Sequence, residues 1–455
     1  MNMRRIGFLV VVVTLCIALI GCGADISASN AETVPHDTAA QEQTEQEQAA
    51  QEQMDRAEAQ QTSEAVGKYA INDTGQTMYF DNTSEIAATK QGEAFYGQDA
   101  QYVDNAMSFE DNGDGTVSDS NTGLMWQQDP GGVKMTWDEA MSGAESFSLG
   151  GYDDWRLPTI KELYSLIDFS GTDPDPTASD TSSLVPFIDT DYFVFEYGDE
   201  SAGERIIDAQ YASSTKYVST QDGELAFGVN FADGRIKGYG LTDPLGGEKT
   251  FFVMHVRGNT EYGQNNFIDN SDGTITDTAT GLMWMSADSG QGMDWEDALA
   301  WSENLEQSGY DDWRLPDAKE LQSIVDYTRS PETTGTAAID ELFECTQIAD
   351  EGGEVNYPYY WTSTTHISSR DAGAAVYIAF GQALGFMTDG PPQSGSPDPN
   401  ADPDDYTLTD VHGAGAQRSD PKTGDNADFP FGRGPQGDVV RIDNFVRCVR
   451  SVEVG

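Results

Sequence analysis

Gly151-Tyr-Asp-Asp-Trp-Arg-Leu-Pro158 returns letter for letter as Gly309-Tyr-Asp-Asp-Trp-Arg-Leu-Pro316. Around this pair, residues 109–168 align with 267–326 without a gap, and 30 of the 60 positions are identical, so the chain holds a tandem duplication. Each octapeptide leads into a helix start. Thr159-Ile-Lys-Glu162 is a capping box, in which hydroxyl and carboxylate satisfy backbone N–H groups that the helix leaves open, and Asp317-Ala-Lys-Glu320 has the same form. Leu163, Leu166 and Ile167 then share a helical face, as do Leu321, Ile324 and Val325. Trp155 and Trp313 are the large apolar groups of the motif, and Arg156 and Arg314 are expected to pair with the Asp-Asp in front. The motif reads as a core corner around a buried Trp; a ligand site made of the same side chains is the alternative.

Outward from the corner, each copy repeats one pattern. Phe109-Glu-Asp-Asn-Gly-Asp-Gly-Thr-Val117 is a strand, a tight Asp/Asn/Gly turn and a second strand, followed by Leu124-Met-Trp126. Asp111 to Gly115 and Asp269 to Gly273 invite a calcium reading, but an EF-hand loop anchored on Gly115 would end on Asn121 instead of Glu; Asp-Gly hairpin turns are the expected reading, with a calcium site of another kind as the alternative. Thr136-Trp-Asp-Glu139 opens another helix. Beyond the corner come strands with alternating apolar residues, Phe227, Val229 and Phe231 in one copy and Val376, Ile378 and Phe380 in the other. Each copy closes on one more strand, Phe252-Val-Met-His-Val-Arg257 and Phe445-Val-Arg-Cys-Val-Arg450. Helices followed by antiparallel strands predict an α+β module. The offset of the copies predicts module one at 67–258 and module two at 259–455, each with its own core.

The ends of the chain carry other information. Arg4 and Arg5 precede an apolar run too short to span a bilayer comfortably, and Leu19-Ile20-Gly21-Cys22 resembles a lipobox. This reads as a lipoprotein signal at 1–22, with Cys22 lipidated and the protein anchored to a membrane. Residue 23 is Gly, not the Asp of an inner-membrane retention signal, so the expected place is the bacterial cell envelope, at the outer membrane or cell surface. Residues 23–66 include a Gln/Glu/Ala tract without an apolar stripe, which predicts a solvated tether.

The 455 residues hold 24 Lys and Arg against 78 Asp and Glu, a formal charge of -54. Such a chain repels nucleic acid and anionic lipid and attracts divalent cations. In an exported protein, Cys345 and Cys448 predict a disulfide over a metal site or a catalytic thiol. The four histidines show no metal-ligand spacing.

The copies differ in one place. Before its closing strand, module two carries an acidic loop at about 387–444, rich in Asp, Pro and Gly. Asp402, Asp404, Asp405 and Asp410 offer hard oxygen ligands for calcium, while Tyr406, His412 and Phe429 are candidate ligand-binding residues.

The repeated Asp-Gly-Thr, Thr-Gly-Leu-Met-Trp, Asp-Trp-Arg-Leu-Pro and closing Val-Arg-Cys-Val-Arg motifs resemble the Lcl C-terminal domain family, over nearly all of residues 100–455. The Arg-Leu-Pro-Thr-x-x-Glu portion also looks like that of sulfatase-modifying enzymes, and the two likenesses imply tandem C-type-lectin-like modules of surface or periplasmic proteins. The family's namesake, a collagen-like adhesin, binds sulfated glycosaminoglycans, a ligand that so acidic a chain should not share. The chain also lacks a Gly-X-Y repeat, and module one has His255 where module two has Cys448. Without a trusted catalytic triad, phosphate loop or zinc motif, no enzyme activity is expected. The expectation is a lipid-anchored surface binding protein for a glycan or protein, with calcium as the one candidate cofactor; the alternative is an acidic envelope scaffold with no discrete ligand.

Overall fold

The computed structural model describes residues 68–219, 224–242, 246–388 and 396–452. The signal, Cys22 and the whole of the tether lie outside these residues.

Within the described chain the α+β expectation holds. Module one begins with a hairpin, β1 (Phe109–Asp111) and β2 (Thr116–Asp119), and continues into β3 (Leu124–Gln127). Helix α1 (Trp137–Ala144) starts on the Thr136 capping box, and α2 (Ile160–Tyr164) on that of Thr159. Strands β4 (Gln210–Lys216), β5 (Leu225–Asn230) and β6 (Arg235–Gly240) form a meander, and β7 (Val256–Gly258) closes the module beside β3. Module two repeats this with β8 (Phe267–Asp269), β9 (Thr274–Asp277), β10 (Leu282–Met285), α3 (Trp295–Glu303) and α4 (Ala318–Ser323), and adds a turn of helix, α5 (Pro331–Thr334). Then follow β11 (Tyr359–His366), β12 (Ala374–Ala379), β13 (Leu384–Met387), β14 (Thr407–Asp410), β15 (Gln417–Pro421) and the closing β16 (Val449–Ser451).

The octapeptide is now legible letter by letter. Gly151 and Gly309 sit at φ +84° and +85°, a left-handed turn that any Cβ would strain. The Trp155 and Trp313 rings are buried, and each indole N–H donates to a carbonyl on the same corner, Leu149 or Gln307, at 3.2 Å. The arginines differ from expectation. Arg156 and Arg314 turn toward the helix and clasp the capping-box carboxylates Glu162 and Glu320 in bidentate pairs at 2.5–2.6 Å. The second Asp of each corner, Asp154 or Asp312, instead holds the closing-strand arginine, Arg257 or Arg450, which lies over the ring of Tyr152 or Tyr310. The fork geometry explains the choice: Glu162 and Glu320 already face the helix N-terminus, so one carboxylate can serve backbone and guanidinium together.

The expectation of two separate cores is corrected. The meander of module one and strands β11, β12 and β15 of module two join into one six-stranded sheet, ordered β11-β12-β15-β6-β5-β4, with Gln417 opposite Ile236 at the seam. Phe227, Phe231 and Tyr164 of module one and Tyr327, Tyr360 and Phe380 of module two belong to one apolar cluster, and the rings of Phe227 and Tyr327 meet edge-on at 4.8 Å. Lysines are exchanged across the seam. Lys161 donates to the Ser323 carbonyl at the end of α4 at 2.6 Å, and Lys319, its counterpart, donates to the Ser165 carbonyl at the end of α2 at 3.0 Å. A leading segment, 68–107, is stitched to both modules: the Gln76 side chain bonds Phe169 and Thr365, and Tyr102 donates to Glu303 at 2.5 Å. Periodicity marked each module's buried face but could not reveal that these faces meet each other.

The expected disulfide is also corrected. Cys345 and Cys448 are free thiols. Successive residues of the closing segment point to opposite sides: Arg447 reaches toward Cys345, with Nη2 to Sγ at 3.4 Å, while Cys448 enters the cluster of Trp295, Trp313 and Trp361.

Two outcomes follow from this architecture. Fragments 67–258 and 259–455, expressed apart, should each bind a hydrophobic dye and lack a sharp calorimetric transition. Glu320→Ala should cost about 3–5 kcal/mol in urea denaturation, because it strands a buried guanidinium. Glu162→Ala should cost less, since the Arg156 side chain is 31% exposed against 8% for Arg314.

Candidate functional site

The module-two segment between β12 and β16 is the candidate site, and much of it is built into the fold. β13 and β14 form an antiparallel hairpin running from Leu384 opposite Asp410 to Met387 opposite Thr407. The chain then crosses the seam, where the Gly238 amide donates to the His412 carbonyl at 2.7 Å, and enters the central sheet as β15. The later part, around 432–439, folds back along β13 through Phe386 to Gly437 and Val439 to Leu384 backbone bonds. Residues 389–395 of the expected loop lie outside the described residues.

The predicted ligand residues separate into two groups. Asp402, Asp404 and Asp405 are exposed on a single turn, where Asp402 caps the Asp404 amide. Asp410 is not with them. It is buried, and its carboxylate accepts from the Tyr217 hydroxyl at 2.6 Å and the Gly413 amide at 2.9 Å. Among the described residues no three carboxylate, histidine or cysteine groups converge as a metal site requires, so the four aspartates do not form the expected calcium shell as they stand. The Asp-Gly turns spend their carboxylates on their own backbones, as hairpin turns do: Asp111 caps Gly113, and Asp114 caps Thr116.

The aromatic candidates also part. Tyr406 is half-buried and stacks on Phe431 at 4.7 Å, and Phe386 meets the same ring edge-on. Phe429 is half-buried two residues before Phe431. His412 faces inward. Its Nε2 lies 2.9 Å from Asp438 Oδ1, and since a carboxylate only accepts, Nε2 carries the proton. Nδ1 is buried without a partner.

His412 belongs to a polar seam that no spacing in the sequence announced. Asp438 also accepts from Arg418, and Lys237 reaches Gln436 at 2.7 Å. On the other side of the sheet junction Arg235 grips Asp173 through two bonds at 2.6 and 2.9 Å, and His366 contacts the Asp233 carbonyl while stacking on Phe187. Burial, with Arg418 beside one and Arg235 beside the other, pulls His412 and His366 down to about 3, so both are neutral at physiological pH. Although burial opposes its charge, the Asp438 carboxyl is held well below its usual range by His412 and Arg418. The arrangement binds the segment to the central sheet and leaves the turn of Asp402 to Asp405 exposed, with Tyr406 half-buried beside it. Burial pushes the Cys448 thiol up to about 12, so it stays protonated and weakly nucleophilic near neutral pH.

Asp410 provides a test of the segment's seating. Burial raises its carboxyl to about 6, against which the Tyr217 hydroxyl pulls only partly. A raised carboxyl binds its proton more tightly in the fold than in the unfolded chain, so this group's contribution falls as pH climbs through about 6. Asp410→Asn should therefore match wild type at about pH 3, below the titration of the unfolded carboxyl, and exceed it by up to about 3 kcal/mol at pH 8, read from urea midpoints.

With the geometry in place, comparison with known proteins yields one likeness. The profile of the Lcl C-terminal domain matches residues 115–257 and again 273–393, more than half of the chain. No curated protein and no solved structure matches it.

Proposed function

The chain belongs to the Lcl C-terminal domain family, in two tandem copies, and on that premise we propose that it is a lipid-anchored binding protein of the bacterial envelope, presenting its ligand surface on the long segment of module two. The observation that carries this reading is the asymmetry of the duplication. The two copies share their corner, helices and first two sheet strands, yet among the described residues only module two interposes the β13–β14 hairpin and the returning strand β15 before the closing segment. An insertion anchored by a buried polar seam and ending in an exposed turn beside stacked aromatic rings is how a rigid scaffold offers a recognition loop. A C-type-lectin-like assignment of each module belongs to this proposal, supported by the two helices, the antiparallel strands and a long segment ahead of the final strand.

The ligand class follows from charge. With -54 overall, the surface disfavours sulfated polysaccharide and nucleic acid, which leaves neutral glycans and basic protein surfaces. Tyr406 and Phe429 supply aromatic area for a sugar ring or a side chain. Calcium enters as an ion that would have to draw Asp402, Asp404 and Asp405 together on binding, without Asp410. Export through the signal at 1–22, with lipid on Cys22, places this surface outside the cytoplasm.

The fused core and the stitched leading segment favour one other reading, a rigid acidic scaffold. A glycan and matrix-protein array on the full chain separates the two. Binding is expected, and Tyr406→Ala should weaken it at least tenfold, about 1.4 kcal/mol. An EDTA arm, with Asp404→Ala and Asp405→Ala together, shows whether calcium takes part. An array without a ligand would leave the scaffold standing.

A further inference from the structure

Lys161 lies where α2 of module one meets the first residues of module two. Its terminal nitrogen has three acceptors: the Ser323 carbonyl at 2.6 Å, Asn265 Oδ1 at 2.8 Å and the Gly263 carbonyl at 3.3 Å. The other end of the Asn265 amide is held as firmly, since Nδ2 donates to Asp277 Oδ2 at 2.8 Å. An ammonium against one amide atom and a carboxylate against the other fix which is oxygen and which nitrogen. Asp277 is fully buried, with the Asn266 and Ala279 amides on Oδ1 and the Thr280 hydroxyl on Oδ2. Tyr69, Tyr164 and Tyr262 line the small cavity beside Lys161, so aromatic rings wall the group from bulk water.

An amine, a carboxamide and a carboxylate are thus hydrogen-bonded in an unbroken line. We propose that Lys161 and Asn265 join in an intramolecular isopeptide bond, with Asp277 as the proton carrier, welding helix α2 of module one to the entry of module two. The lone pair of the Lys161 amine attacks Asn265 Cγ and forms the new C–N bond. A proton leaves Nζ for Asp277 and is delivered to Nδ2; the Cγ–Nδ2 bond breaks, and ammonia departs. Asp277 ends as it began, and the step needs no oxidant, metal or cofactor. Burial supports it, because the Lys161 ammonium is pulled down to about 8, so part of it is a free amine near neutral pH.

The duplication supplies an internal control. Lys319 occupies the same place in module two, but its nitrogen goes to the Asp73 and Ser165 carbonyls. Asn72, which donates to Asp119 as Asn265 does to Asp277, has its Oδ1 taken by the Asn121 amide at 2.8 Å. The chemistry is therefore confined to Lys161.

Peptide mapping of the purified full chain by mass spectrometry tests this without any variant. The expected result is a branched peptide joining Lys161 to Asn265, about 17 Da lighter than its two parts because ammonia is lost. Lys161→Arg and Asp277→Asn should each abolish the branched peptide, and Lys319→Arg should leave it in place. Recovery of unmodified, separately cleaved Lys161 and Asn265 peptides from the wild type would overturn the proposal.

Discussion

The exchange of Lys161 and Lys319 between the two copies is the constraint on which the rest of the molecule depends, because it makes each helix end a part of the other module. A short helix ends with several carbonyls that lack partners, and α2 and α4 have only a turn or two in which to satisfy them. The lysine of each copy supplies the missing donor to the other, at Ser323 and Ser165. Burial opposes both charges and draws each ammonium down to about 8. The carbonyl acceptors, with Asp73 as a further one for Lys319, offset that cost. With the two helix ends locked together, the sheet strands of the two modules lie side by side in one six-stranded sheet over a common apolar cluster.

Against so acidic a background, the placement of the 24 cations is informative. Arg156, Arg314, Arg257 and Arg450 brace the two corners, and Arg235, Arg418 and Lys237 form the polar seam. Interior positions draw on the scarce cations, and the carboxylates left over face solvent on turns such as Asp402 to Asp405. The fold thus uses positive charge for architecture and leaves a negative surface, which bears directly on the partners such a surface can accept.

Duplication followed by divergence explains how one scaffold serves two roles. Module one keeps a short connection and contributes half of the central sheet, with His255 stacked on Phe147 at the position that Cys448 holds in module two. Module two spends its extra residues on a hairpin, a strand that completes the seam and an exposed acidic turn. Within the central sheet the inserted strand β15 is the one that pairs with β6 of module one, so the segment that distinguishes the second copy also helps to join it to the first.

The sequence by itself determined the duplication, the helix starts, the hairpin turns and the α+β class, because each rests on neighbours in the chain. A capping box needs residues three apart, a hairpin needs its turn, and a strand face needs every second residue. Trp155 and Trp313 as buried corner residues belong to the same group. What joins distant positions was decided only by the tertiary structure. The pairing of Arg156 with Glu162 instead of Asp154, the separation of Cys345 from Cys448, the inward turn of Asp410 and His412 and the single core all depend on which faces pack together. Composition could show that carboxylates were plentiful, but not that Asp438 would lie under His412 or Asp277 against Asn265. Local periodicity sets which side of an element is apolar; the choice of partner across that side is a free-energy minimum over the whole chain, and no window of sequence contains it.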